Sequence, residues 1–565
     1  MSDNTNNTLR ILIATDNHVG YLEEDQIRGK DSFQSFEEVL ILAKHHKVDF
    51  ILLGGDLFHH SQPSLYCLRH VIGLIRQHCF GDKPCEFNIC SDQSINFQSR
   101  FQQGANVYDP NLNVSIPIFT IHGNHDDPVG NGNLSAMDLL ASAGCANYFG
   151  RCHDLNDIKV YPILMQKGET KLALYGMGNV RDERLHHAWR DGSVSFIRPS
   201  NEHGGQTWLD DAFNMFVLHQ NRVRHGPTSY VPEEFLDEFI DLVLWGHEHD
   251  CRIDPEPSHG KYISQPGSSV ATSLAEGEAL PKHVGLLEIT GREYSLQKIR
   301  LTTVRPFQYT AVSLSEVAEL RNATHDSKAV QRYLFSVVED LIRRAQDEWD
   351  EQQDDLRLEN DNNNDNSNPE LQSQRNRPMP LPLIRIRVEY GGDFEAFNVV
   401  VFGKKFVSRV ANPRDILKFH RQRSAGDGAR RQARQRATEI LNDPDASVPE
   451  RLDTVRVEAL VDEILGRTLE VLPENEMQDV VQKLIDKEDK KAVSSFIQQS
   501  VQRMKRSIDD ENHNTSIEDL SDQFVKRRAT ELKEDRFNNY AREQASRNAR
   551  RTRRSDNNED DSHGE

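Results

Sequence analysis

Residues 8–290 alternate between short apolar runs and longer segments in which apolar residues recur every three or four positions. The apolar runs predict β-strands, which read LRILIATDNH, VDFILLGGDLF, SIPIFTIHGNHD, KLALYGMGN, FNMFVLHQN and DLVLWGHEHD. The periodic segments predict helices, and the apolar sides of the first two comprise Phe33, Phe36, Val39, Leu40 and Ala43, and Leu65, Leu68, Val71, Ile72 and Ile75. Near-continuous apolar strands between helices are typical of an α/β sheet that is covered on both faces.

Two other stretches break this alternation. Residues 81–115 are polar, and their length predicts either an insertion with a role of its own or a mobile loop. Residues 300–410 predict a smaller α/β unit, with a helix over about 314–350 and a strand that reads PLIRIRVEY. Between that helix and that strand, the Asn- and Asp-rich segment 351–379 predicts disorder.

The last part of the chain predicts short helices followed by a disordered tail. Residues 426–507 carry short apolar stripes at helical spacing without an evident large core. Two interpretations stay open: a small bundle that packs on itself, or helices that pack on the helices of a partner. Residues 508–565 predict disorder, and their basic run, RNARRTRR, is a DNA contact, a nuclear import signal or a solvated segment without function.

The net charge of -21 over 565 residues argues, taken alone, against nucleic-acid binding, because phosphate is attracted by positive potential. Acidic residues concentrate in the run QDEWDEQQDDLRLENDNNNDN, so a local basic patch near the end remains compatible with this total. The seven cysteines form no CxxC pair, which predicts reduced thiols in an intracellular protein. The polar N-terminal residues and the lack of a long apolar run predict neither a secretory signal nor a membrane span.

Polar, ligand-capable side chains follow five of the predicted strands, at the point where each strand ends. Because sites in α/β proteins gather beyond the carboxyl ends of strands, we expect these side chains to converge. Seven of them form a set of carboxylate, amide and imidazole ligands: Asp16, His18, Asp56, Asn124, His219, His247 and His249. Asp16 and His18 are two residues apart, and on an extended segment such a pair points to the same side.

Seven ligands are too many for one first-row metal ion, but they suit two ions if one carboxylate bridges them. Asp56 is the expected bridge, because a carboxylate has two oxygens. Two ions held about 3.5–4 Å apart stabilise both the attacking and the leaving oxygen in an in-line displacement at phosphorus. The donor set suits manganese, iron or zinc, and its lack of thiolates argues against a structural zinc site.

The order of these segments, DxH, GD, GNHD, H and GHxH, resembles the calcineurin-like metallophosphoesterase superfamily. Within it, ATDNHVGY, GGDLFHHSQPS, IHGNHDDP and LWGHEHDCRI resemble the eukaryotic meiotic-recombination-eleven nucleases, the SbcD-like subunits of the MRN and MRX double-strand-break repair complexes. The resemblance covers about residues 8–425. It implies an α/β fold: a metallophosphoesterase β-sandwich flanked by helices, a small α/β capping domain and C-terminal helices.

The resemblance also implies an organisation and a set of partners. We expect a nuclease domain at 1–295 with a eukaryotic-type insertion at 81–115, a DNA-capping domain at 296–425, a helical segment at 426–507 and a disordered tail with a basic run at 508–565. The helical segment would bind an SMC-like coiled-coil ATPase, and the insertion would bind a nibrin-type subunit. The predicted helix around Leu65–Ile75 would form a homodimer or simply pack in the core. The place of action would be the nucleus, at chromosome breaks.

For the matching residues, the resemblance implies individual roles. One Mn²⁺ would be bound by Asp16, His18, Asp56 and His249, and a second by Asp56, Asn124, His219 and His247. His125 would stabilise the transition state and help to protonate the leaving oxygen, which suits the near-neutral pKa of imidazole. A mere hydrogen-bonding role for His125 stays open. His59 would position the scissile phosphate, Asp126 would orient His125 or cap the turn, and His122 is by default a buried, hydrogen-bonded histidine.

The activity that the resemblance implies is Mn²⁺-dependent hydrolysis of DNA phosphodiesters, by a 3′-to-5′ exonuclease and endonuclease. Two other functions stay open. A phosphomonoesterase or protein phosphatase of the same superfamily usually carries the arginine of GDxxDRG, whereas this chain reads GDLFHHS. A non-enzymatic scaffold that tethers DNA ends could tolerate lost ligands, whereas all seven are present here.

Overall fold

The apolar runs of the first 300 residues form two β-sheets that pack face to face. A computed structural model of the chain describes residues 6–97, 104–129, 132–152, 154–198, 205–224, 226, 228–320, 326–363, 377–391, 394 and 397–421. The predictions for 426–507 and 508–565 lie outside these residues. All seven cysteines lie within them and are free thiols, as predicted. None of the described helices is both long and apolar enough to cross a membrane.

The strands and helices are numbered separately in chain order. The described strands are β1 (Thr8–Ala14), β2 (Phe50–Leu53), β3 (Asn88–Ile89), β4 (Ile118–Thr120), β5 (Asn147–Tyr148), β6 (Ile158–Val160), β7 (Pro162–Lys167), β8 (Thr170–Met177), β9 (Val194–Phe196), β10 (Phe213–His219), β11 (Leu242–Gly246), β12 (Arg252–Ser258), β13 (Lys261–Gln265), β14 (His283–Thr290), β15 (Glu293–Arg300), β16 (Phe307–Ser313), β17 (Leu383–Tyr390) and β18 (Leu417–Arg421). The described α-helices are α1 (Asp31–His45), α2 (Leu65–Cys79), α3 (Gln93–Asn96), α4 (Ala136–Ser142), α5 (Asp182–Arg190), α6 (Gly205–Asp210), α7 (Ser327–Asn363) and α8 (Val399–Gly403).

Each of the two large sheets has a parallel centre. The first sheet has the strand order β15-β14-β1-β2-β4-β5, and the second has the order β12-β13-β11-β10-β8-β7-β3. Strands β1, β2, β4 and β5 are parallel to one another, and so are β8, β10, β11 and β13. Parallel strands present their carboxyl ends at one edge of a sheet. The polar segments after β1, β2 and β4 therefore meet at one edge, and those after β10 and β11 meet at an edge of the second sheet.

The alternation of side chains along each strand explains why the strands are apolar throughout. Ile11 and Ile13 of β1 pack between the two sheets, in one cluster with Met215 and Leu244. Leu12 faces the other way and packs in the cluster that α1, α2 and α4 form on the outer face of the first sheet. Helices α5 and α6 cover the outer face of the second sheet. Both faces of each sheet are thus covered, and the predicted sandwich flanked by helices is confirmed.

The first two helices differ in how well periodicity predicts their buried sides. All five predicted apolar residues of α1 are buried. The buried side of α2 instead runs through Cys67, Val71, Leu74 and Ile75, while Leu65 is 85% exposed. The prediction is therefore wrong for Leu65. The helix is rotated so that residues at spacings of four, seven and eight from Cys67 face the core, and the position of Leu65 at the first turn places it beyond that core.

The insertion at 81–115 is an ordered part of the sandwich wherever the structure describes it. Its strand β3 pairs antiparallel with β7. Phe87 and Phe97 are buried between the two sheets, where they pack with Phe119. The mobile-loop interpretation is therefore wrong for the described residues, because a few aromatic side chains anchor a segment that is polar on average.

Residues 307–421 contain the second α/β unit. Strands β16, β17 and β18 form a parallel sheet, against which α7 packs. The helix is displaced from the predicted 314–350, and it continues into the segment for which composition predicts disorder. That prediction is wrong for 351–363. Glu, Gln, Leu and Arg favour a helix in this stretch, and the burial of Trp349 and Gln352 ties its beginning to the rest of the unit.

A short polar connection joins the sandwich to this second unit. Glu38 of α1 is buried and accepts hydrogen bonds from the backbone N–H and the hydroxyl of both Thr302 and Thr303, at 2.6–2.9 Å. Arg305 donates from two nitrogens to the carboxylate of Asp31. These contacts fix the direction in which the chain leaves the sandwich.

We expect Glu38→Ala to lower the free energy of unfolding by about 2–4 kcal/mol, because it leaves buried N–H and hydroxyl donors without an acceptor. Urea denaturation of the full chain measures this loss. Gln34→Ala on the same helix is the matched control and should cost less than about 1 kcal/mol. Equal losses in the two variants would contradict the role assigned to Glu38.

Candidate metal centre

The nine site residues predicted from the sequence all come together where the carboxyl ends of strands from the two sheets meet. The strands that deliver them are β1, β2 and β4 of the first sheet and β10 and β11 of the second. Four of the nine are buried, namely Asp16, His18, Asp56 and His219. The other five are at least partly exposed, namely His59, Asn124, His125, His247 and His249. The site therefore has a buried floor and a rim that a large substrate can reach.

Four candidate ligand residues adopt the left-handed backbone conformation, with φ of 51° at Asp16, 46° at His18, 51° at Asp56 and 87° at His247. This conformation costs a residue other than glycine on the order of 1–3 kcal/mol and persists where the surrounding structure enforces it. The Asp16 N–H donates to Gly55 O at 3.1 Å, and the His18 N–H donates to Asp56 O at 2.9 Å. The segment after β1 is thus irregular backbone that hydrogen bonds hold against the segment after β2. The expectation of an extended segment is wrong there, although both side chains reach the site.

Four donor atoms converge around the first predicted ion position. His18 Nε2 and His249 Nε2 lie 3.0 Å apart. Asp16 Oδ1 lies 3.7 Å from His249 Nε2, and Asp56 Oδ2 lies 3.8 Å from His18 Nε2. Ligand atoms of one ion at about 2.0–2.2 Å from the metal are separated by similar distances. Asp16, His18 and His249 can therefore hold a common ion, with Asp56 beside them.

Around the second predicted position, Asp56 again takes part. His219 Nε2 lies 3.4 Å from Asp56 Oδ2 and 3.2 Å from Asn124 Oδ1. His247 Nδ1 lies 2.7 Å from the same Asn124 oxygen. The sequence suggests a bridge in which Asp56 uses both of its oxygens. In the structure a single oxygen, Oδ2, faces His18 and His219 together.

The environment of two carboxylate oxygens indicates whether these residues fit metal ions. Asp16 Oδ1 and Asp56 Oδ2 are buried and receive no hydrogen bond from any described residue. Buried oxygens of this kind are costly unless a donor or a cation pairs with them. Two divalent cations would pair with both, and the surrounding imidazole and amide groups are ligands that such transition-metal ions prefer. The residues therefore fit a dinuclear metal centre.

The charges at the site favour the same conclusion. Burial lowers the pKa of His219, but Asp56 and Asp16 more than offset this and raise it to about 10. Burial raises the pKa of Asp56, but His219 and His18 pull it well below its usual range. Burial and the charge of His219 lower the pKa of His247 to about 3, so its imidazole is neutral and able to bind a metal. The carboxylates thus hold a positive charge, which a metal ion can replace.

Two residues outside the predicted set contact candidate ligand histidines, each through the ring nitrogen other than the one that faces another candidate ligand. His247 Nε2 lies 2.8 Å from Asn221 Oδ1, and His249 Nδ1 lies 2.7 Å from Glu278 Oε1. Such partners fix the tautomer and the ring orientation of a metal-binding histidine. Asn221 lies two residues after His219 and could have been found by inspecting strand ends. Glu278 lies in a segment without any pattern that points to the site.

His125 lies on the rim beside Asp56. Its backbone N–H donates to Asp56 Oδ1 at 2.8 Å, and its ring Nδ1 lies 2.8 Å from His59 O. The rings of His125 and His59 are stacked, with centroids 4.8 Å apart. His59 Nδ1 lies 3.4 Å from His18 Nδ1. Both histidines therefore stand together above the ligand set, on the partly exposed side of the site.

The structure also accounts for the other residues in and next to the GNHD turn. A Cβ on Gly123 would lie 2.1 Å from Asp56 Oδ1, so a larger residue does not fit there. Asp126 accepts a hydrogen bond from the Gly123 N–H at 2.6 Å and thus caps the turn. His122 is buried and hydrogen-bonded to Tyr148 Oη at 2.8 Å. The default interpretation of His122 is confirmed.

Comparisons with known proteins agree with this geometry. Residues 9–251 match the sequence profile of the calcineurin-like phosphoesterases, and residues 294–484 match the profile described as the Mre11 DNA-binding presumed domain. The double-strand break repair protein MRE11 of Coprinopsis cinerea is 43% identical over 532 residues, which are 91% of this chain and 70% of that protein. The chain belongs to the MRE11 family. The human MRE11 protein is 41% identical over 530 residues, with 92% of this chain and again 70% of that protein covered.

Membership of the MRE11 family makes this chain a metal-dependent phosphodiesterase of calcineurin-like fold with a dimetal site. Among solved structures, a dimetal phosphatase from Danio rerio aligns with 52% of this chain and 96% of its own, at 12% identity and a TM-score of 0.30. The family assignment rests on the sequence relatives and the profile matches.

We expect Mn²⁺ to stabilise the folded chain, because it would pair with the two buried carboxylate oxygens. A ligand at 100 times its dissociation constant stabilises by about 2.7 kcal/mol, which calorimetry detects as a rise in the unfolding midpoint. Asp56→Ala should abolish this rise, since Asp56 faces both ligand sets. Asp127→Asn, three residues after Asn124 and outside both sets, should retain it. A rise of wild-type size in Asp56→Ala would contradict the assignment of Asp56.

Proposed function

We propose that this MRE11-family chain is a Mn²⁺-dependent nuclease that processes DNA double-strand breaks, as a 3′-to-5′ exonuclease and as an endonuclease. Asp16, His18, Asp56 and His249 would hold one Mn²⁺, and Asp56, Asn124, His219 and His247 would hold the other. The observation that supports this most is the pair of buried oxygens without hydrogen-bond donors, Asp16 Oδ1 and Asp56 Oδ2, among imidazoles from both sheets.

The metals and the rim histidines divide the reaction between them. Bound divalent ions supply Lewis-acid stabilisation of the charge that develops on the phosphoryl oxygens and the leaving oxygen. The protein's own contribution is to hold the DNA phosphate against the rim and to move a proton to the leaving sugar oxygen. His59 and His125 are the side chains placed for these two tasks.

Hydrogen bonding sets the tautomer of His59. His18 directs Nε2 into the site, so its hydrogen is on Nδ1 and is donated to His59 Nδ1, which lies 3.4 Å away. His59 must then carry its own hydrogen on Nε2. Burial and the neighbouring His125 lower the pKa of His59 to about 4, so the ring is neutral near pH 7. His59 is therefore a neutral donor that can position a phosphate oxygen.

His125 is placed as the proton donor to the leaving group. Its Nδ1–H donates to His59 O, so the atom that remains for the substrate is Nε2. A protonated Nε2 can give its hydrogen to the departing sugar oxygen and so complete the cleavage. The bond from the His125 backbone to Asp56 Oδ1 ties this ring to the carboxylate that both ligand sets share.

The proposed partners follow the family resemblance. The segment 426–507 would dock on an SMC-like coiled-coil ATPase, the insertion at 81–115 would bind a nibrin-type subunit, and the complex would act in the nucleus on single- and double-stranded DNA. Helix α2 would form a homodimer, and the exposure of Leu65 and Tyr66 at its first turn supports this. The capping unit at 296–425 would help to select DNA structures.

The decisive experiment is Mn²⁺-dependent cleavage of an end-labelled DNA duplex and a hairpin by the wild type and by His125→Asn. The substitution removes the proton donor but leaves the ligands in place. We expect His125→Asn to keep its Mn²⁺ and to lose cleavage by about 10²–10⁴-fold. Metal content is measured on both proteins by elemental analysis.

His60→Asn is the matched control, because His60 is exposed and stands beside His59 outside the ligand set. It should cleave at about the wild-type rate. Wild-type protein with two bound Mn²⁺ that cuts no DNA, even with an ATPase partner, but hydrolyses a small phosphomonoester would overturn the proposal in favour of a phosphomonoesterase. Inactivity on both substrates would favour a scaffold.

A further inference from the structure

We propose that Glu278 is a positioning residue for His249 and that it couples the metal centre to the capping unit. The inference rests on the proposed function, since it assumes that His249 binds one of the two metal ions. Glu278 lies 29 residues after His249, in a segment that packs against the second α/β unit.

The first step of the argument is the bond between the two side chains. His249 Nδ1 lies 2.7 Å from Glu278 Oε1, while His249 Nε2 faces Asp16 Oδ1 and His18 Nε2. Thr272 Oγ1 also lies 3.1 Å from His249 Nδ1, but the Glu278 carboxylate is nearer and charged, so Glu278 accepts the Nδ1–H and thereby leaves the Nε2 lone pair directed into the site. A metal ligand held in this way has one tautomer and one ring orientation.

Glu278 is itself held in a fixed position. Its Oε1 accepts the backbone N–H of Thr272 at 3.0 Å, and its Oε2 accepts the N–H and the hydroxyl of Ser273, at 2.8 and 3.0 Å. The side chain is only 2% exposed. A carboxylate with this many donors does not rotate freely. It therefore transmits the position of its own segment to the imidazole.

That segment packs against the second α/β unit. Ala271 and Leu274 are buried in one cluster with Phe307 of β16 and Leu383 of β17, and Ala279 packs against the same cluster. Residues 271–279 thus lie between the sheet of the capping unit and His249. A shift of the capping unit that moved this segment by about 1 Å would stretch the 2.7 Å contact beyond hydrogen-bonding distance.

Glu278 could in principle serve only to cap the 271–278 turn. The two roles make different predictions. A turn cap affects the stability of the metal-free chain and leaves metal affinity unchanged once the chain is folded. A positioning residue changes the affinity of the site that contains His249, and a conservative replacement restores part of that affinity.

The test is a titration of the metal-free full chain with Mn²⁺ alone, in which the electron paramagnetic resonance signal of unbound Mn²⁺ gives the affinity and the number of sites. Circular dichroism first establishes that each variant is folded. We expect Glu278→Ala to weaken one of the two sites about 10- to 100-fold and to leave the other close to its wild-type affinity. The affinity of the weakened site in Glu278→Gln should lie between those of the wild type and Glu278→Ala. The amide oxygen of glutamine accepts the His249 N–H, while its NH₂ group opposes the Ser273 N–H.

Glu276→Ala is the matched control. Glu276 lies on the same turn and is exposed, so its removal should leave both affinities unchanged. Wild-type affinity at both sites in a folded Glu278→Ala would overturn the inference while leaving the proposed function intact. Fewer than two Mn²⁺ bound by the wild type would instead contradict the proposed function, and this inference with it.

A second pair of variants tests the coupling. Phe307→Ala removes a side chain that packs against the segment 271–279, and we expect it to weaken the site of His249 about 3- to 10-fold, less than loss of the hydrogen bond itself. Val388→Ala makes a cavity elsewhere in the capping unit and should leave Mn²⁺ affinity unchanged. Equal affinities in Phe307→Ala and the wild type would overturn the coupling.

Discussion

Asp56 Oδ2 lies 3.8 Å from His18 Nε2 and 3.4 Å from His219 Nε2, while Asp56 Oδ1 accepts the backbone N–H of His125. One buried carboxylate thus connects both ligand sets and the proposed proton donor. An uncompensated charge at this depth would cost several kcal/mol, so positive partners must surround it. The same crowding requires glycine at 123, where a Cβ would collide with the carboxylate. The burial of Asp56 therefore dictates much of what surrounds it.

The sandwich makes this arrangement possible. Neither sheet carries a complete proposed ligand set, because Asp16 and His18 follow β1 of the first sheet and His249 follows β11 of the second. The distance between the two groups is set by the apolar layer in which residues such as Phe50 and Leu244 interlock. Close packing leaves such a layer little freedom to expand. The hydrophobic interior thus acts as the spacer that brings the proposed metal ligands to within 3–4 Å of one another.

The predictable features were those with a short-range signal. The convergence of the candidate ligand residues could be predicted because each follows an apolar run within a few positions, and that pattern is visible without a structure. The left-handed backbone conformation at Asp16 and His18 carries no such signal, since neither residue type requires positive φ. Glu278 lies beside His249 only because of tertiary packing. The rotation of α2 about its axis likewise depends on how it packs against α1. The helix over residues 351–363 is not predicted, because the high Asn and Asp content of 351–379 outweighs the helix propensity of the Glu, Gln, Leu and Arg residues at its start.

The short strand β3 gives the insertion at 81–115 a structural role that does not depend on a partner protein. Without it, β7 would form the outermost strand of the second sheet and present its unpaired N–H and C=O groups to solvent. The segment covers that edge through the β3 pairing and through the Cys90 N–H, which donates to Leu164 O at 2.7 Å. An exposed edge of this kind is a template on which other chains can add strands. The insertion thus covers Leu164, Met165 and Gln166 of that edge, and its deletion would leave them open to pairing with a strand of another chain.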